Sequence, residues 1–257
     1  GLAMNDGVST LVAVLKTVFE ALEKRGLKPV EYSIPEVIDL IRPYSLALGR
    51  YLNSLDSGQR KAFRDLRGPA GITYRVRQCQ AGMRAIISDF NPEGLDEWLA
   101  LEKQQTNKRA KELIDDMEIS LQGAIVSELK VNIGNDEDLW WYEGIPQAIR
   151  TKVTSRMEED KNKRGGKEYY FDLLDYKKIM DDNWELFEKP FGYGSGGKAK
   201  RLQWLDFVNE TRRIVAHASS GKTVNIQDYT RLKELHEWLK NQISTANLSS
   251  EEFMADI

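Results

Sequence analysis

Residues 95 to 129 decide the fold class, and they read LDEWLALEKQQTNKRAKELIDDMEISLQGAIVSEL. In the second half of this stretch, apolar residues recur every three or four positions, which is the spacing of one face of an α-helix. These residues are Leu113, Met117, Leu121, Ala124, Ile125 and Leu129. We therefore predict one long amphipathic helix whose apolar stripe packs in a core or a helical interface and holds no cofactor.

Helical spacing continues on both sides of this stretch, where glycine and proline separate the segments. Upstream, Ser9 or Thr10 is predicted to cap a first helix, and Pro35 is predicted to begin a second helix that Pro43 kinks or splits. Downstream, helices are predicted at residues 169–187, 198–217 and 226–243. Because most long segments show helical spacing rather than the alternation of a strand, the chain is predicted to be all-α.

Turn-forming and acidic residues cluster at Asn132-Ile133-Gly134-Asn135-Asp136, which predicts a domain boundary there. The expected organisation is a helical platform or oligomerisation region over residues 1–131 and a helical bundle over residues 138–245. A flexible tail is expected over residues 246–257. The chain opens Gly1-Leu2-Ala3-Met4, a start that we interpret as a cloning remnant or as the cut end of a longer protein.

Composition restricts the possible functions. The 257 residues have a formal net charge of −3, so no global field attracts the chain to nucleic acid or to an anionic membrane. Cys79 is the only cysteine, and His217 and His236 are the only histidines. We therefore expect no disulfide, no metal site rich in thiolate or imidazole, and no cofactor. This composition suits a reducing cytoplasm, and no apolar run is long enough for a membrane span.

The segment Trp204 to His217 combines an apolar face with a group of polar residues. Asn209, Arg213 and His217 fall at positions i, i+4 and i+8, so they are predicted to share one face of a helix. Arg212 lies five residues before His217, roughly 140° around the helix axis, and is predicted to flank that face.

An arginine beside a histidine suits the cleavage of a phosphodiester. Histidine titrates near neutrality and can transfer protons, whereas the arginine fork keeps its charge and matches phosphate oxygens. RNA supplies its own nucleophile in the ribose 2′-hydroxyl. The surrounding basic residues would also attract phosphate; between residues 198 and 222 they are Lys198, Lys200, Arg201, Arg212, Arg213 and Lys222.

These residues also resemble a known family. Arg212 to His217 matches the Arg-x4-His pattern of the HEPN superfamily, helical bundles that include metal-independent endoribonucleases. Trp184-Glu185-Leu186-Phe187, Trp204-Leu205 and the approach to Arg212 resemble a branch in which similar helices precede an aliphatic-Arg-Asn-x-x-x-His segment. The stretch Trp140 to Pro146 resembles the lead-in of such C-terminal regions in bacterial proteins.

The resemblance implies a HEPN-like bundle at residues 138–245 that acts on RNA as a homodimer, with two copies of the motif across one cleft. It implies that His217 is the acid/base and that Arg212 stabilises the phosphate, while Asn209 and Arg213 position the substrate. One departure concerns Arg213, because the family commonly has Asn, Asp or His after the motif arginine. This departure leaves open whether the bundle is catalytic.

A second resemblance concerns the N-terminal half. Phe63 to Gly68 and Phe90 to Leu95 resemble the C-terminal part of bacterial DGQHR-domain proteins, which are associated with DNA modification and phage defence. This resemblance implies a defence or stress context, with further domains in a longer parent protein.

Two other functions remain open from the sequence. The chain can be a non-catalytic helical interaction or dimerisation module, or it can bind RNA or a nucleotide without cleavage. Other chemically capable residues favour structural roles. We interpret Cys79 and His236 as packing or surface residues, and Trp140-Trp141-Tyr142 as a plug at the end of a bundle.

Overall fold

The computed structural model describes residues 5–217 and 222–255. Within these ranges the chain forms helices and no strand, which confirms the prediction of an all-α protein. The chain divides into two compact units, residues 1–102 and residues 103–257. No helix in the described ranges has the length and apolar character needed to cross a bilayer.

The first unit is built around three long helices, whose apolar faces meet in one core. Its helices are α1 (Asn5–Lys24), α2 (Ile34–Ser54), α3 (Ser57–Asp65), α4 (Gly68–Arg84) and the start of α5 (Leu95–Asn132), with a short 3-10 helix at Pro29–Glu31. The core consists of Val14, Val18, Leu22, Tyr44, Ala47, Cys79, Met83 and Phe90.

Two details of the first unit differ from the sequence predictions. Ser9 and Thr10 do not cap α1, because the helix begins at Asn5 and the Thr10 hydroxyl donates to the carbonyl of Asp6 one turn earlier, at 2.7 Å. Pro43 does not split α2, which continues through it. The predicted start of α2 at Pro35 is close to the observed start, which a capping box between Ser33 and Glu36 fixes.

The second unit is a bundle around the rest of α5. Its other helices are α6 (Glu137–Gly144), α7 (Gln147–Glu159), α8 (Leu173–Asp182), α9 (Trp184–Phe191), α10 (Lys198–Arg201), α11 (Gln203–Ala216) and α12 (Ile226–Ala255), with a 3-10 helix at Lys167–Tyr170. Four residues of the predicted stripe of α5 are buried in the core of this bundle: Met117, Leu121, Ile125 and Leu129. Leu113 and Ala124 pack against it partly buried, and Ala110 and Ile114, which the stripe did not include, are buried as well.

The compact division falls inside α5, between Glu102 and Lys103, rather than near residues 131–138. The reason is that the buried stripe of α5 joins the same apolar core as helices α6 to α9, α11 and α12. At the C-terminus, α12 extends as a helix through residues 246–255 of the predicted tail. Residues 256 and 257 of that tail lie outside the described residues.

Two predicted helices of the second unit are interrupted, and the first of them also begins in the 3-10 helix Lys167–Tyr170, ahead of α8. The segment 169–187 divides at Asn183, whose side-chain amide donates to the carbonyl oxygens of Gly144 and Ile179 at 2.8 and 2.9 Å. The segment 198–217 divides at Leu202, which separates α10 from α11. These breaks allow α8, α9 and α11 to bury different faces in one core.

Candidate functional site

Helix α11 and its C-terminal end carry the four predicted site residues. Its apolar face is firmly held, because Trp204, Leu205 and Val208 are almost completely buried. The indole Nε1 of Trp204 donates to the carbonyl oxygen of Phe191 at 3.1 Å. With this face fixed in the core, the residues on the other faces have defined positions.

Arg212 and Asn209 lie together on α11. The Arg212 Nη2 donates to the Asn209 side-chain oxygen at 3.4 Å, which is a long hydrogen bond, and Asn209 is only 7% exposed. The Nε of Arg212 lies 3.8 Å from a carboxylate oxygen of Glu118 on α5. Among the described residues, none accepts a hydrogen bond from that buried Nε. The guanidinium is therefore held in place while part of its donor capacity is unused.

Arg213 points to solvent beside its own helix. Its Nη1 lies 3.1 Å from a carboxylate oxygen of Glu210, and both side chains are largely exposed. Asn209 is buried and Arg213 is exposed, although both line the same small cleft. Asn209 also contacts Arg212, three positions later.

His217 caps the C-terminal end of α11. The helix ends at Ala216, and His217 has φ −108° and ψ 60°, outside the helical region. Its backbone N–H donates to the Arg213 carbonyl at 3.3 Å, and the residue is exposed. His217 is therefore the first residue past α11, and its N–H still forms the helical hydrogen bond to the residue four positions earlier. Residues 218–221, which follow it, lie outside the described residues.

A polar cleft of about 700 Å³ opens in the second unit beside α5, α7 and α11. Three arginines and five carboxylates line it: Arg156, Arg164, Arg212, Glu118, Glu159, Asp160, Glu168 and Asp172. Tyr169, Phe171 and Tyr176 add aromatic surface. Negative side chains outnumber positive ones along its walls, so the cleft as a whole does not concentrate anions.

A second, smaller cleft of about 280 Å³ is lined by Leu174, Asp206, Asn209, Glu210, Arg212 and Arg213. Arg212 is common to the linings of both clefts. Its guanidinium therefore stands on the ridge between them, with the side chain 41% exposed. This position suits a group that meets a ligand from either side.

Four of the six basic residues predicted to attract phosphate lie beside carboxylates. Lys198 is 3.2 Å from Asp181, Arg201 pairs with Glu188, Arg213 pairs with Glu210, and Arg212 is close to Glu118. Three of these four carboxylates, Asp181, Glu188 and Glu118, lie outside residues 198–222, where the basic residues cluster in the sequence. The predicted basic patch is therefore largely neutralised, because the fold brings acids from α5, α8 and α9 to it.

Glu118 is the residue at this site that sequence reasoning missed. It lies on α5 next to the stripe residue Met117, and the interpretation of α5 as a packing helix gave it no role. Burial raises the pKa of its carboxyl, and the positive charge of Arg212 opposes that rise. An acid directly beside a buried stripe was the only sequence signal that could have indicated it.

Asp172 lines the larger cleft and is held there by several hydrogen bonds. It caps α8 by accepting hydrogen bonds from the backbone N–H groups of Leu174 and Asp175, and it also binds Lys152 at 2.9 Å and Arg156 at 3.1 Å. Burial alone would raise the pKa of Asp172, but the hydrogen bonds from Lys152 and Arg156 outweigh it and lower the pKa from 3.8 to about 2. The charged form is therefore stabilised by folding.

We expect Asp172→Asn to lower the free energy of unfolding of the second unit by about 2 kcal/mol at pH 7. Asparagine keeps the capping oxygen, so the loss comes from the charge. Because the folded-state pKa is lowered, the contribution is complete above the unfolded pKa near 3.8 and disappears as the pH falls towards 2. Urea denaturation at pH 7 and pH 3, followed by circular dichroism, measures this difference.

The matched control is Asp182→Asn, which removes an exposed carboxylate from a pair with Lys178 on the same helix. We expect a much smaller change there, because exposed ion pairs contribute little. Equal losses for the two variants, or a loss at Asp172 that does not depend on pH, would contradict this account of Asp172.

Residues interpreted as structural lie in packed positions. Cys79 is buried, and burial raises the pKa of its thiol to about 12, which keeps it protonated. Trp140 and Trp141 are also buried, whereas Tyr142 is 58% exposed. The His236 Nε2 lies 2.6 Å from an Asp116 carboxylate oxygen, and nothing in the sequence around His236 indicated this partner.

Comparisons with protein-family models, with curated proteins and with solved structures find no match to this chain. The fold and the site define the class of protein: it is all-α, and its C-terminal bundle carries the polar group. In that group Arg212 lies beside Glu118 and Asn209, and the exposed His217 follows at the end of α11.

Proposed function

We propose that the second unit is a HEPN-type domain that acts on RNA as a metal-independent endoribonuclease in a bacterial defence or stress context. The observation that carries this proposal is the position of Arg212. Its partly exposed guanidinium lines both clefts, and its buried Nε has no hydrogen-bond acceptor among the described residues. A phosphate oxygen is the acceptor that best matches such a guanidinium.

His217 supplies the proton transfer in this proposal. The exposed imidazole follows Arg212 at the end of α11, where solvent and a substrate can reach it. The ribose 2′-oxygen loses its proton to a base and attacks the adjacent phosphorus. The bond from phosphorus to the 5′-oxygen breaks, and the leaving oxygen takes up a proton. The products are a 2′,3′-cyclic phosphate and a 5′-hydroxyl, and no electrons are transferred.

Asn209 and Arg213 have different roles in this proposal. Asn209 is only 7% exposed and contacts Arg212, so its main role is to orient the guanidinium. Arg213 is exposed and remains the candidate for contact with a neighbouring phosphate, in competition with Glu210. One unit carries one histidine at this position, and a homodimer would bring a second across the same RNA.

The alternative is binding without cleavage, or a purely structural interaction module. The specific observation in its favour is the neutralisation of the basic patch, because Lys198, Arg201 and Arg213 already have carboxylate partners. In the binding alternative, RNA affinity survives His217→Ala and weakens on Arg212→Ala. In the interaction alternative, neither substitution changes a measurable association with RNA.

The test is incubation of the full-length chain with a mixed structured RNA in EDTA, with DNA of the same sequence as control. We expect cleavage of the RNA and no cleavage of the DNA, because only RNA has the 2′-hydroxyl. Light scattering of the same sample gives the oligomeric state, and we expect a dimer. RNA that remains intact at every protein concentration, although it is bound, would favour the binding alternative.

A further inference from the structure

We infer that the Glu118 carboxylate occupies the place of the substrate phosphate on Arg212 and that RNA must displace it in order to bind. This inference rests on the proposed function of the site, and it assigns Glu118 as a positioning residue that sets the affinity of Arg212 for phosphate. It also explains why an acidic residue faces the guanidinium that is proposed to bind an anion.

The geometry of the pair is that of a loose, replaceable contact. The Glu118 oxygen lies 3.8 Å from the Arg212 Nε, whereas charge-assisted hydrogen bonds between such groups are about 2.7–2.9 Å long. Among the described residues, no acceptor forms a hydrogen bond with that Nε. A phosphate that approaches in the plane of the guanidinium can therefore form better hydrogen bonds than Glu118 does.

The surroundings of Glu118 make its charged form easy to neutralise. Asp115 on its own helix and Asp172 at the start of α8 are negative, Tyr176 on α8 is a further titratable neighbour, and Lys111 and Arg212 oppose the two acids. Arg156 of α7 lines the same cleft but lies beside Asp172 and Asp175. Burial raises the pKa of Glu118, which favours uptake of a proton by this carboxyl when a phosphate approaches.

The direction of the pH dependence follows from this linkage. If RNA binding requires a neutral Glu118, binding takes up a proton and becomes tighter as the pH falls. A glutamine at this position is neutral at every pH and keeps the shape of the side chain. We therefore expect the difference between Glu118→Gln and the parent protein to be largest near neutral pH and to vanish in acid.

The experiment measures the binding of a fluorescein-labelled single-stranded RNA by anisotropy at fixed salt. All proteins carry His217→Ala, so that the RNA stays intact. We expect Glu118→Gln to tighten binding about threefold to tenfold at pH 7, because it removes the competing charge. Glu159→Gln is the matched control, since it removes one carboxylate from the same cleft without touching Arg212, and we expect less than a twofold change.

The double variant Glu118→Gln with Arg212→Ala separates this inference from the proposed function. We expect no tightening in the Arg212→Ala background, because the effect of Glu118 acts through that guanidinium. Equal effects of Glu118→Gln and Glu159→Gln, or tightening that persists without Arg212, would overturn the inference. If Arg212→Ala weakens binding while Glu118→Gln changes nothing, the inference fails and the proposed function stands.

A pH series gives a second test, because it follows how the ratio of the two dissociation constants changes with pH. The RNA affinities of the parent protein and of the Glu118→Gln variant should converge as the pH is lowered from 7 through the range in which both stay folded, and both carry the same His217→Ala background. Circular dichroism melts check that each variant is folded. Curves that stay parallel over this range would show that Glu118 does not take up a proton on binding, and would contradict the inference.

Discussion

His217→Ala is expected to lower the rate of RNA cleavage by about 100- to 10,000-fold, which is the usual contribution of a general acid or base. The exposed imidazole at the end of α11 is the only histidine near Arg212 in the sequence, and the proposed reaction uses no metal. Single-turnover cleavage in EDTA at pH 7 measures the effect, since it reports on the chemical step rather than on product release.

The matched control is His236→Gln, which changes the other histidine of the chain. His236 lies beside Asp116 in a packed position, so its replacement should affect stability more than cleavage. A His217→Ala protein that retains more than a tenth of the parent rate would exclude His217 as the proton-transfer group. A comparable loss in His236→Gln would mean that the assay reports folding rather than catalysis.

Arg212→Ala is expected to lower kcat/KM by about 100- to 1000-fold, comparable with the removal of one donor that stabilises charge in a transition state. The neighbouring residue provides the control. Arg213→Ala removes the same charge from an exposed position that is already paired with Glu210, so we expect less than a tenfold loss. Steady-state kinetics on the same RNA compares the two variants.

Equal losses for the two arginines would contradict the assignment of Arg212 as the phosphate-binding group, because a general reduction of positive charge would then explain both. Salt dependence gives an independent reading. Removing a phosphate contact reduces the slope of the logarithm of affinity against the logarithm of salt concentration by about one. We expect this reduction for Arg212→Ala and a smaller one for Arg213→Ala.

The fold class could be predicted because long helices repeat a simple pattern. The apolar residues of α5 recur at helical spacing, and four of the six predicted stripe residues are buried. The core face is slightly rotated from the prediction, because Ile114 is buried where Leu113 was expected. Helices α6 and α7 were not predicted. Within α7 only Ile149 and Val153 are buried, and two apolar positions give a weak periodic signal.

The chemistry of the site could be predicted only in part. The motif from Arg212 to His217 names residues that are neighbours in sequence, and Asn209 and Arg212 do meet on α11. Their electrostatic partners are distant in sequence, as Glu118 on α5 shows. A charge count over a local window therefore overestimates the positive potential, because it cannot include carboxylates that tertiary packing brings to the same place.

The most direct measurement is the cleavage of an RNA that carries a single 2′-deoxynucleotide at a mapped cut site, with the wild-type chain in EDTA. The account predicts that cleavage at this position disappears while other positions are still cut. It also predicts that the products of unmodified RNA end in a 2′,3′-cyclic phosphate and a 5′-hydroxyl. Continued cleavage at the deoxy position, or products with a 5′-phosphate, would contradict it.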